Sequence, residues 1–104
     1  VGPDGSPAPG VAAVLCLAFP LHPPGRPGRS RAEELLLPVG ADLPVLVVQG
    51  RRDPMGSPQE IRAAVPDRGL TLQAVDGTHS PSRDLDAVTG AAAAFLADLT
   101  REAR

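Results

Sequence analysis

Tryptophan and tyrosine are absent from this 104-residue sequence, and phenylalanine occurs only twice, which leaves no aromatic platform on which a base or a flat substrate could stack. Cysteine occurs once. A single Cys16 excludes an internal disulfide and a zinc cage, and its place inside an apolar run makes it a core residue, so the simplest expectation is a reducing compartment, the cytoplasm. Lysine is missing too: all ten basic residues are scattered arginines, and the formal net charge is −2. Nothing here resembles the basic stripe that nucleic-acid binding needs. No apolar run approaches the roughly 20 residues of a membrane span. The first ten residues, VGPDGSPAPG, have neither the charged start nor the apolar stretch of a targeting signal, and with no initiator Met the chain reads as truncated, residues 1–10 being a loop remnant.

What remains is the composition of one globular domain or part of one, 42% hydrophobic. Most of the 13 Pro and 11 Gly stand between three compact apolar runs and punctuate them rather than dilute them. Val11 to Phe19 is apolar throughout, as expected of a strand covered on both faces in a parallel sheet. After a Pro/Gly loop, Ser30-Arg31-Ala32-Glu33 reads as a capping box that opens a short helix through Leu37. A second strand spans Val45 to Gln49. Ser57-Pro58-Gln59-Glu60 is another capping box, with Pro at the first helical position, starting a helix of about two turns that ends near Pro66. Leu70 to Val75 is a third strand. Leu85, Val88, Ala92, Phe95 and Leu99 recur at steps of three and four on a long terminal helix. The order β-α-β-α-β-α implies parallel pairing with right-handed crossovers, hence a three-layer α/β/α fold.

In such sheets ligands bind beyond the carboxyl ends of the strands. The segments there hold His22, then Asp53 flanked by Arg51, Arg52 and Pro54, then Asp76 and His79. Asp53 and His79 lie just past two consecutive parallel strands that would run about 5 Å apart, so they can meet at one sheet edge. An imidazole that takes a nucleophile's proton and a carboxylate that fixes its tautomer are two thirds of a catalytic triad. Asp53 before Pro54 also suits a plain Asx turn, and His79 also suits a solvated loop; taken together, the two favour the catalytic pair. Asp76, three residues from His79, is the weaker orienter. His22 is a substrate-binding candidate only, and Arg51 and Arg52 read as surface charges.

VLVVQGRRDPMGSPQE resembles the strand, glycine, acid and Asp-Pro turn of small α/β-hydrolases, and DGTHS is similar to their histidine loop. LCLAFPLHPPGRPGR extends the likeness to the dienelactone-hydrolase-like group that includes the testis-expressed hydrolase-like proteins. That resemblance, from about Val11 onward, implies that the three strands are the last three of an eight-stranded α/β-hydrolase fold and that Asp53 and His79 are its acid and base. Met55 stands where that group carries an aromatic residue. The nucleophile is the missing part, because triads of this fold run in the chain order Ser, acid, His. Gly28-Arg29-Ser30-Arg31-Ala32 resembles the G-x-S-x-G elbow, but an elbow joins a buried strand directly to a helix and Ser30 follows a Pro/Gly loop. Ser30 and Ser57 are better explained as helix caps. The expectation is therefore the C-terminal part of a serine-type hydrolase that acts on an ester or related acyl bond of a small molecule, with no cofactor and no metal. The alternative is a non-catalytic scaffold on the same fold.

Overall fold

The computed structural model describes residues 10–66, 69–80 and 84–102; nearly all of the expected loop remnant at 1–10 lies outside them. Six elements follow one another: β1 (Val14–Leu17), α1 (Glu33–Gly40), β2 (Val45–Gly50), α2 (Pro58–Ala64), β3 (Leu70–Val75) and α3 (Leu85–Glu102). The strands form one sheet in the order β1-β2-β3, with both pairings parallel. Val45 lies between Val14 and Leu70, and Val48 between Leu17 and Gln73; β1 stops there while β2 and β3 pair for two more residues, and all three present their loops at one edge.

Alternate side chains of the strands feed two cores, as the pleat requires. Val45, Val47 and Leu70 pack with Leu35 and Val39 of α1 and with Ile61 of α2. On the opposite face Leu46, Val48 and Val75 pack against Ala87, Val88, Ala91 and Phe95 of α3. Helices thus cover both faces of the sheet, and the architecture is the three-layer α/β/α expected. β2 is buried along its whole length, with each of its aliphatic side chains contributing about 1.5–3 kcal/mol by leaving water.

Three expectations need correction. β1 is shorter than Val11 to Phe19 and is not covered on both faces: Val14 and Cys16 pack toward α1 and α2, whereas Leu15 and Leu17 are exposed. The reason is the position of α3, whose apolar side chains reach β2 and β3 and stop there. Secondly, the Ser30 capping box does not form. α1 starts at Glu33 with Ala32 as its N-cap and no side-chain cap, and the Ser30 hydroxyl accepts a bond from the Ala32 N–H instead. The same helix runs past Leu37 through Pro38 because Pro38 and Val39 are buried, and that burial outweighs the one backbone bond a proline removes. Thirdly, of the expected α3 stripe Val88 and Phe95 pack on the sheet core while Leu85 is exposed, and Ala87 and Ala91 complete the packed face rather than Leu85, Ala92 and Leu99. The Ser57 box is present in full: its hydroxyl accepts from the Glu60 N–H, and Glu60 Oε1 accepts from the Ser57 N–H. α2 ends at Ala64, near the expected place.

Candidate active site

Past their last residues β2 and β3 stay stitched together, since the Arg51 N–H donates to the Val75 carbonyl at 2.8 Å and the Arg52 N–H to the Gly77 carbonyl at 3.0 Å. Gly50 makes this approach possible. A Cβ there would lie 2.2 Å from the Thr78 carbonyl oxygen and 2.5 Å from that of Gly77, closer than any side chain can come. The loop after β3 therefore folds directly over the end of β2 and delivers His79 to Asp53.

Asp53 Oδ2 accepts a hydrogen bond from His79 Nδ1 at 2.8 Å. A carboxylate only accepts, so Nδ1 carries the proton and Nε2 of the neutral ring is left with its lone pair. Asp53 Oδ1 accepts from the Met55 N–H at 2.8 Å, the hydrogen bond of an Asx turn. The turn reading and the His-pairing reading of Asp53 thus both hold, each on its own oxygen. The Asp53 side chain is wholly buried, whereas the ring of His79 is 37% exposed and makes no second hydrogen bond among the described residues. The arrangement is a partly exposed imidazole whose Nδ1 is fixed by a buried carboxylate and whose Nε2 makes no hydrogen bond among the described residues.

A third polar residue holds the acid. Gln49, fully buried at the end of β2, turns Nε2 toward three acceptors, Asp53 Oδ2 at 3.0 Å, the Gly56 carbonyl at 2.8 Å and the Phe19 carbonyl at 2.9 Å, which share its two protons, while its Oε1 accepts from the Phe19 N–H at 2.8 Å. The sequence reading took Gln49 only as the last residue of its strand. The available signal was its polarity inside VLVVQG, a strand otherwise apolar.

A family model of the α/β hydrolase domain matches residues 5–94 of the chain. The chain belongs to the α/β-hydrolase family. No curated protein and no solved structure matches it. In this hydrolase domain the other residues singled out from the sequence are placed as follows. Asp76 is exposed and paired with Arg52 at 2.6 Å, which keeps those two charges on the surface side of the loops. Arg51 is exposed. Met55 is half-buried and serves through its backbone, its carbonyl accepting from the His22 N–H at 2.9 Å.

His22 is buried, and the structure does not bring it into the Asp53–His79 pair. Its Nδ1 donates to the Pro23 carbonyl at 2.8 Å, and its Nε2 donates to Glu60 Oε2 at 2.7 Å. Both partners are acceptors, an arrangement that favours the doubly protonated ring. The Pro23 carbonyl first, and then Glu60, raise its pKa above the ordinary histidine value. Glu60 is held below the usual carboxylate range by the Ser57 N–H first and His22 second. With both nitrogens engaged, His22 clamps the loop after β1 onto the start of α2. Gly56 seals the same junction: its φ is +141°, and a Cβ there would meet Leu21 at 2.8 Å.

No described Ser, Thr or Cys side chain is hydrogen-bonded to His79. Ser30 and Ser57 are engaged at helix starts, and burial pushes the Cys16 thiol up, away from the thiolate form. Among the described residues no group of three or more His, Cys, Asp or Glu is placed to hold a metal ion. An open pocket of about 300 Å³ is lined by Glu33, Leu36 and Leu37 of α1 and includes none of the residues above. No helix among the described residues is long and apolar enough to cross a membrane.

Proposed function

We propose that this α/β-hydrolase chain supplies the acid and the base of a serine-type hydrolase that cleaves an ester or related acyl bond of a small molecule in the cytoplasm. The observation that carries the reading is the Asp53 Oδ2 to His79 Nδ1 bond at 2.8 Å, made by a ring that is partly exposed and has no partner on Nε2 among the described residues. His79 Nε2 takes the proton of the nucleophile's hydroxyl as that oxygen attacks the acyl carbon, and returns it to the leaving oxygen as the tetrahedral intermediate collapses. Asp53 holds the ring in the Nδ1–H form and stabilises the imidazolium that exists between the two transfers. The nucleophile sits on a G-x-S-x-G turn encoded upstream of Val1, in keeping with the order Ser, acid, His of this fold. The backbone N–H groups of the oxyanion hole lie upstream as well. The likeness of LCLAFPLHPPGRPGR supports placement near the dienelactone-hydrolase-like group.

A scaffold without hydrolytic activity is the second reading, favoured by the lack of any described nucleophile bonded to His79. One experiment separates them. The coding region upstream of Val1 is read, and the complete reading frame is expressed and treated with a fluorophosphonate probe. The expected result is an elbow serine that is labelled and that loses labelling in His79→Ala. A non-nucleophilic residue at the elbow, or a folded protein that no probe labels, establishes the scaffold.

A further inference from the structure

The Gln49 side chain joins the end of β1, the acid and the turn that follows the acid. Its carboxamide bonds both the N–H and the C=O of Phe19, just where the ladder between β1 and β2 stops, and so takes the place of one more step of strand pairing. Ala18, immediately before Phe19, has a φ of +76°, a left-handed conformation that a non-glycine residue adopts only when its surroundings hold it there. The two bonds to Phe19 are part of that hold. The remaining Nε2 contacts go to Gly56 and to Asp53 Oδ2, the very oxygen that receives His79. The amide orientation is dictated by these neighbours: three acceptors face Nε2 and one donor faces Oε1, so the flipped amide would set lone pair against lone pair at three contacts.

We propose that Gln49 is the positioning residue of the acid, presenting Asp53 Oδ2 to His79 Nδ1 and thereby selecting the histidine tautomer that leaves Nε2 free to accept a proton. This rests on the reading of Asp53 and His79 as acid and base. Met55 and Gln49 hold the two carboxylate oxygens of Asp53 in different directions, so the carboxylate has no rotational freedom of its own. Sharing of Oδ2 couples the two donors electrostatically: a change of charge on the His79 ring alters the carboxylate that Gln49 Nε2 faces. In a buried, water-poor setting such a network responds as a unit.

The chain holds only two histidines, which makes their ring nitrogens separately readable by long-range ¹H–¹⁵N spectroscopy of the 104-residue protein. In the unaltered chain the His79 ring, once neutral, is in the Nδ1–H form, and the Gln49 side-chain amide resonances move along the same titration curve as the His79 ring. Gln49→Met keeps the length of the side chain and removes the donor, and Gln49→Leu removes donor and acceptor together. Both are expected to lose the fixed His79 tautomer, while His22, tied to Pro23 and Glu60, keeps its own signals and reports an intact fold. Retention of the His79 tautomer in either folded variant overturns the proposal. Should both variants unfold, the titration of the unaltered chain decides, and a Gln49 amide that stays flat while His79 titrates overturns it. Asp53→Ala distinguishes the two layers. If His79 is unaffected by that change, the acid-base reading itself fails; if Asp53→Ala abolishes the tautomer and the Gln49 variants do not, only the role of Gln49 falls.

Discussion

The carboxyl ends of β2 and β3 and the outer side of β1 belong to one sheet but are finished to different degrees. At the first, the buried Asp53 carboxylate accepts from Gln49, Met55 and His79. At the second, Leu15 and Leu17 lie in water on an edge strand. The contrast teaches that the pairing of acid and histidine is secured within the β2–β3 end, through the Arg51–Val75 and Arg52–Gly77 backbone bonds and the close pass at Gly50. The β1 side contributes to it through the Phe19 contact of Gln49 and through the His22 N–H on the Met55 carbonyl.

The sharpest way to break the comparison is to remove the pair itself. If the proposed hydrolase reading holds, His79→Ala abolishes turnover and Asp53→Asn lowers kcat by about 10⁴, the magnitude found for the equivalent change in a serine-protease triad, while Asp76→Asn leaves activity nearly intact. Steady-state kinetics on an acyl ester check this, and a larger loss for Asp76 than for Asp53 would refute the assignment. Next in size is Gly50→Ala. The added methyl collides with backbone at Thr78 and Gly77, which cannot swing aside as a side-chain tip can. A loss of about 1–3 kcal/mol in chemical denaturation is expected, together with loss of the fixed His79 tautomer.

A smaller effect tests the clamp that ties the loop after β1 to α2. His22 has a raised pKa, so its contribution to stability is complete below the ordinary value of 6.5 and fades as the pH rises through the raised one. Glu60 has a lowered pKa, so its contribution is complete above 4.5 and fades as the pH falls through the lowered one. The difference in Tm between the unaltered chain and His22→Phe is therefore greatest between pH 4.5 and 6.5 and shrinks on both sides. A difference that does not change with pH would show that the tie is not ionic. The smallest effect on stability is expected at the open edge. Leu17→Lys, in a side chain 55% exposed, shifts folding by no more than about 0.5 kcal/mol, yet it reduces self-association, because a charge on an edge strand discourages pairing with another chain. Size-exclusion elution that is the same for both proteins over a range of concentrations would show that β1 is not the adhesive edge.

Much of this was legible in the residues alone, and the parts that were not share a cause. Alternation of apolar runs with capped, periodic segments is a local property, so the element order, the parallel three-layer fold, the Ser57 box and the positions of Asp53 and His79 at one edge of the sheet followed from composition, spacing and the motifs around them. Only tertiary structure decided the rest. Whether Leu15 and Leu17 are covered depends on how far α3 reaches across the sheet, which no pattern within β1 encodes. Ser30 had the chemistry of a cap, but its helix begins two residues later than a capping box requires. His22 in its Pro-rich loop meets Glu60, 38 positions away, and Gln49 meets Phe19 at a separation of 30, because the chain folds those segments together at the strand ends. A residue's type states which bonds it is able to make; which partner it finds in the interior, where an unpaired polar group is costly, is set by the packing of segments far apart in the chain.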